Sequence, residues 1–292
     1  MKKAFKALLL MFLGLSGVAQ ESPAPRVLIP LVARGSHHRP VSVALESLVV
    51  TDQKTPVIAA TLLPGADLPV ELGILVDVST SQRDTHLDEI LKVVNQFLGE
   101  TVRGPEDRVF FLKFDATPLV TGWMKKEQLQ TFTFPVRFGA GTALYDALAA
   151  ACKERMGQRD WRKPTRRVIV LISDGEDNLS HIRRDEATTV ALRSGLVIFT
   201  IDTATHNGAG GGEKVMEYLA KSTGGEFFDR PSIRDMPKVL STIEEVIGGM
   251  YYLTYVPPEA SKSAVHEVDV KPAAKNKFEL SYPRKYPWEA TD

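Results

Sequence analysis

GILVDVSTSQRD, Gly73 to Asp84, begins as a buried strand begins and then places a carboxylate and three hydroxyls at Asp77, Ser79, Thr80 and Ser81. An apolar run that ends in hard oxygen donors predicts a strand whose carboxyl end opens onto a site. Working outward, further continuous apolar runs follow in RVFFLKF, RVIVLIS, LVIFTID and EFFDR. Such runs are the pattern of strands covered on both faces, as in parallel sheets.

Between these runs the apolar positions recur every three or four residues, as a helix burying one face requires. Leu87, Ile90, Leu91, Val94, Phe97 and Leu98 form one stripe; Met236, Val239, Leu240, Ile243, Val246 and Ile247 form another. The alternation predicts an α/β fold, a doubly wound and mainly parallel sheet flanked by helices.

In open α/β sheets ligands bind beyond the carboxyl ends of the strands. Asp77, Ser79 and Ser81 leave the first strand there, and Ser173 and Asp174 leave a later one in VIVLISDGEDN. Between them FGAGTALYDAL places Thr142 after a glycine-rich turn, at the start of a helix carrying Asp146. The donors are hydroxyls and carboxylates, without thiolate or imidazole, a set that suits Mg²⁺, Mn²⁺ or Ca²⁺ better than zinc or copper. For Asp-x-Ser-x-Ser alone, helix capping by the serines accounts for the pattern equally well.

Taken together, Asp77, Ser79, Ser81, Thr142 and Asp174 occur in the order and strand context of one known site. The region from about Leu72 to Met250 resembles the von Willebrand factor type A domain and its metal-ion-dependent adhesion site. The resemblance implies that Ser79 and Ser81 coordinate the metal through their hydroxyls. Thr142 would join them directly in the ligand-competent state, and Asp77 and Asp174 would act directly or through water. It also implies an open coordination position for an acidic side chain of a protein partner. Thr80 stands where many relatives have glycine, which implies a stiffer loop, and GAGT replaces the commoner double glycine; neither change removes an oxygen. Asp115, Asp146 and Asp177 are close enough in sequence to support the site from behind, although capping or solvation explains each as well.

The flanks read differently. MKKAFKALLLMFLGLSGVAQ has Lys2, Lys3 and Lys6 before an apolar run and small residues after it, so residues 1–19 are expected to be a secretory signal peptide and the protein secreted or periplasmic. Residues 20–40, with Pro, Ser, Gly and the pair His37-His38, are expected to be a flexible lead-in. Residues 41–70 are expected as an N-terminal β segment, 71–250 as the A-type domain and 251–292 as C-terminal strands. The two flanking segments would form a small antiparallel β module. The same layout resembles a bacterial, exported subgroup of the family.

Composition sets outer limits. Of 292 residues 43% are hydrophobic, and 36 basic side chains balance 36 acidic ones, so the strong positive field of nucleic-acid binding is absent. No stable membrane span is expected in the mature chain. Cys152 is the single cysteine, expected as an inert buried thiol. NGAGGGEKV, Asn207 to Val215, lacks the Gly-Lys-Ser/Thr ending of a phosphate loop and is expected as a flexible loop. His86, His181, His206 and His266 pair with no nucleophile and are expected at the surface, and RKPTRR, Arg162 to Arg167, as a solvated turn. No Gly-x-Ser-x-Gly elbow is present. The expected function is therefore non-enzymatic, cation-dependent capture of an acidic residue on a protein partner. The alternatives are a metal-independent structural adaptor of the cell envelope and a metal-dependent phosphate or ester hydrolase.

Overall fold

A six-stranded sheet organises the molecule, built from β5 (Val70–Asp77), β6 (Arg108–Phe114), β7 (Pro118–Val120), β8 (Arg166–Ser173), β9 (Val197–Asp202) and β10 (Phe227–Phe228). The computed structural model describes residues 26–157, 160, 162–205, 211–258, 264–274 and 276–288. The strand order is β10-β9-β8-β5-β6-β7, parallel throughout except for the edge strand β7. The apolar runs explain the choice, since β5 and β9 are buried along their whole length. EFFDR yields only the two half-buried residues of β10.

Six helices surround the sheet among the described residues: α1 (Leu87–Thr101), α2 (Lys126–Leu129), α3 (Leu144–Ala151), α4 (Arg184–Arg193), α5 (Gly212–Thr223) and α6 (Met236–Gly248). The stripes of α1 and α6 join one face of the sheet in a core with Val70, Leu72 and Ile74. Leu144, Leu148, Ala191, Met216 and Leu219 from α3, α4 and α5 cover the other. Cys152 is buried at the end of α3, and burial pushes its thiol up to about 12, which leaves it protonated and unreactive.

Eight further strands form two four-stranded antiparallel sheets. They are β1 (Val27–Arg34), β2 (Leu48–Asp52), β3 (Thr55–Pro56), β4 (Thr61–Pro64), β11 (Tyr251–Tyr255), β12 (Val265–Pro272), β13 (Glu279–Ser281) and β14 (Lys285–Pro287). One sheet runs β13-β1-β11-β4 and the other β14-β12-β2-β3. The small β module thus draws on both flanks. The C-terminal strands pair chiefly with N-terminal ones: β11 lies between β1 and β4, and β12 lies against β2.

The stretch expected as a flexible lead-in departs most from the sequence reading, because it contains β1, buried at every position. Pro30 interrupts VLIPLVAR and conceals the strand. It is tolerated because β13 pairs with β1 only from Val32 onward. Alternate residues of β1 enter different cores: Val27, Ile29 and Leu31 face the sandwich, and Leu28 and Val32 join the core of α1 and α6. Each such side chain contributes about 1.5–3 kcal/mol by leaving water, so β1 ties the β module to the central domain.

Three further readings are corrected. His266 is fully buried, with Nδ1 2.9 Å from Asp52 Oδ1, and Tyr286 donates its hydroxyl to Asp52 Oδ2 at 2.5 Å. Arg166 and Arg167 leave the solvated turn and open β8: Arg166 donates to Leu68 O at 2.8 Å, and Arg167 pairs with buried Glu71 at 3.0 Å. The glycine loop ends in a fixed element. Gly211 and Gly212 start α5, and a Cβ on Gly212 would lie 2.2 Å from Asp174 O, so only glycine lets the helix approach that loop. His86 and His181 are exposed as expected, whereas His206, Asn207 to Gly210 and the expected signal peptide lie outside the described residues. Among the described residues no helix is long and apolar enough to cross a membrane.

Candidate metal centre

Three neighbouring strands, β5, β8 and β9, each end in a carboxylate or lead directly into one: Asp77, Asp174 and Asp202. Asp77 is fully buried. Its Oδ1 accepts the N–H of Ser79 at 2.8 Å, and its Oδ2 accepts the hydroxyl of Ser173 at 2.7 Å. Gly175 N in turn donates to Ser173 Oγ at 3.0 Å. Burial lifts the Asp77 carboxyl to about 6 against the lowering effect of the Ser173 and Ser79 bonds, with Asp174 adding repulsion. Asp202 is lifted to about 6, again chiefly by burial, although Ala204 N and Arg230 favour its charge.

The hydroxyls complete the cluster. Ser79 Oγ lies 3.0 Å from Ser81 Oγ, and Ser81 donates to Asp174 Oδ2 at 2.6 Å. Adjacent ligands on an octahedral cation with bonds of about 2.1 Å stand about 3.0 Å apart, so the serine spacing fits a small divalent ion. Among the described residues no group of three or more His, Cys, Asp or Glu side chains is gathered for a metal. A cation at the sheet end would therefore depend on the hydroxyls. The structure thus brings Asp77, Ser79, Ser81 and Asp174 into one hydrogen-bonded chain.

Thr142 reaches this cluster through its main chain. Its N–H donates to Asn178 Oδ1 at 2.9 Å, and its carbonyl accepts Asn178 N and Leu179 N, both at 3.0 Å, on the loop that begins at Asp174. Among the described residues no hydrogen bond joins the Thr142 hydroxyl to either serine. The preceding turn is fixed from both sides. Thr80 donates its hydroxyl to Gly139 O at 2.8 Å, and Gly139 N donates to Val78 O at 2.9 Å. A Cβ on Gly139 would fall 1.9 Å from Asp115 Oδ2, which accounts for a glycine at that point. Asp115 itself accepts Thr117 N at 3.0 Å and braces the turn rather than the serines.

Sequence reasoning passed over Ser173, Gln82 and Thr203 as site residues. Ser173 had a signal, since it precedes Asp174 at the strand end. Gln82 and Thr203 had none: Thr203 donates to Gln82 Oε1 at 2.6 Å, and both are buried beside Ser81.

The family model described as the von Willebrand factor type A domain matches residues 72–176. This stretch carries the sequence pattern of a von Willebrand factor type A domain. The match runs from β5 to the start of the Asp174 loop and so includes Asp77, Ser79, Ser81, Thr142 and Asp174, with Asp202 beyond it. Solved structures similar to the chain include an aerotolerance-related membrane protein from Bacteroides fragilis, at 18% identity and a TM-score of 0.46, covering 61% of this chain and 98% of that one. Another is the protein BatB from Bacteroides thetaiotaomicron, at 16% identity and a TM-score of 0.44, with coverage of 61% and 98%. A third is proximal thread matrix protein 1 of the mussel byssus, described with a zinc-occupied adhesion motif, at 16% identity and a TM-score of 0.49. There the alignment covers 66% of this chain and 49% of the mussel chain. No curated protein sequence matches the chain.

Proposed function

We propose that the protein is a non-enzymatic, cation-dependent binding module that captures an acidic side chain of a protein partner through its A-type domain. The spacing of the Ser79, Ser81 and Asp174 oxygens above buried Asp77 is the observation that carries this reading. With Mg²⁺, Mn²⁺ or Ca²⁺ bound, the site would supply a positive centre for a foreign carboxylate. Ser79, Ser81 and Asp174 would hold the ion and Asp77 would orient Ser79 from beneath, with Thr142 a further ligand. Two neutral hydroxyls among the ligands leave more of the cation's charge for the partner than an all-carboxylate cage would. The family places such modules in protein recognition, and an extracytoplasmic location rests on the character of residues 1–19.

Isothermal titration of Mg²⁺, Mn²⁺, Ca²⁺ and Zn²⁺ into the chain and into Asp77→Ala tests the site. Binding by the native chain and its loss in the variant support it, and equal binding by both removes it. Partner recovery from cell-envelope extracts with and without EDTA then tests capture; a partner retained in EDTA favours metal-independent assembly.

A further inference from the structure

Helix α3, which follows Thr142, receives no side-chain cap from its own N-cap residue, Ala143. Its first N–H groups need acceptors, and the loop that starts at Asp174 supplies them. Tyr145 N donates to Asp177 Oδ2 at 3.0 Å, and Asp146 N donates to Ser180 Oγ at 3.0 Å. Ser180 locks the pair by donating its hydroxyl to the same Asp177 Oδ2 at 2.6 Å.

The helix answers in kind. The Asp146 carboxylate accepts His181 N at 3.0 and 3.1 Å, His181 Nδ1 at 2.7 Å and Ile182 N at 3.3 Å. Desolvation alone would raise the Asp146 carboxyl, but the bonds from His181 and Ile182 outweigh it and hold the group below the usual range. With the Asn178 bonds to Thr142, the segment bearing Thr142 and the segment bearing Asp174 form one interlocked unit.

We infer that Asp177 and Ser180 are positioning residues for the cation and its acidic ligand, acting through Thr142 without touching the ion. The inference rests on the metal site proposed above and deepens it. Asp174 and Thr142 come from elements distant in the chain, and this reciprocal capping fixes one segment against the other.

The test is titration of Mn²⁺ into the native chain, Thr142→Ala, Asp177→Ala, Ser180→Ala, Ser180→Thr and the double variant Thr142→Ala/Asp177→Ala. Asp177→Ala and Ser180→Ala are expected to weaken Mn²⁺ about tenfold, as loss of an outer partner does, whereas Ser180→Thr keeps the hydroxyl and the affinity. The double variant is expected to bind no more weakly than Thr142→Ala. Thermal melting with and without Mn²⁺ separates positioning from plain capping. A mere cap lowers both melting temperatures equally, whereas a positioning residue shrinks the rise that Mn²⁺ produces. Additive losses in the double variant overturn the inference. Native Mn²⁺ affinity in Asp177→Ala and Ser180→Ala, with a loss in Thr142→Ala, also overturns it. If Asp77→Ala and Thr142→Ala both bind as the native chain does, the metal site is itself wrong and this inference falls with it.

Discussion

Ser81 donates its hydroxyl to Asp174 Oδ2 at 2.6 Å, joining two segments 93 residues apart at the carboxyl end of the central sheet. That hydrogen bond holds together two of the oxygens proposed as ligands. Ser81→Ala is therefore expected to cost about 1 kcal/mol in stability but at least tenfold in divalent-cation affinity. Denaturant melts beside metal titrations check both, and unchanged affinity would exclude Ser81 as a ligand.

The raised carboxyls give a pH dependence with a definite sign. An unfolded Asp titrates near 4, whereas Asp77 and Asp202 in the folded chain titrate at about 6. Between these values the folded state holds more protons, so metal-free stability falls as pH rises from about 4 to 6 and then levels. For fully buried Asp77 the loss is on the order of 3 kcal/mol. Urea melts of the chelated protein from pH 4 to 7 measure it, and Asp77→Asn is expected to reduce the slope, leaving the share that Asp202 contributes. A flat profile in the native protein would contradict the burial argument.

In the β module, Asp52 accepts from both His266 and Tyr286, and all three are buried. Replacing Asp52 with Ala removes the buried acceptor that His266 and Tyr286 share, leaving them only each other and Tyr255, and is expected to cost about 1–3 kcal/mol. Metal affinity should be untouched, because the network lies within the β module. Calorimetric melting with a Mn²⁺ titration distinguishes the two effects.

Thr80 ties the serine loop to Gly139. Thr80→Gly removes the tie. Faster amide exchange at Ser79 to Gln82, with the fold retained, is the expected result. Equal protection in both proteins would show that the hydroxyl does not stiffen the loop.

How far the sequence could be read depended on where each signal came from. The parallel sheet was legible because Val70–Asp77 and Val197–Asp202 are short apolar runs, and the stripes of α1 and α6 repeat cleanly. The convergence of Asp77, Ser79, Ser81 and Asp174 at one end of the sheet was legible because each follows closely on an apolar run. β1 was hidden by Pro30 and by the polar composition around it. His266 was hidden because its partners, Asp52 and Tyr286, lie 214 and 20 residues away. A buried polar group is recognisable only from its partners, and single-residue reasoning has no access to them. Capping was one reading of Asp177 from the sequence, but the helix it caps was hidden, since caps are sought within a few residues and this one crosses 32.

The pairing of Val27–Leu31 with Tyr251–Tyr255 sets an order of assembly. The intervening polypeptide must collapse before those partners can meet, since closing so long a loop earlier costs entropy with no compensating contacts. Until then an uncovered VLIPLVAR edge is an invitation to intermolecular strand addition. Refolding yield should therefore fall as protein concentration rises.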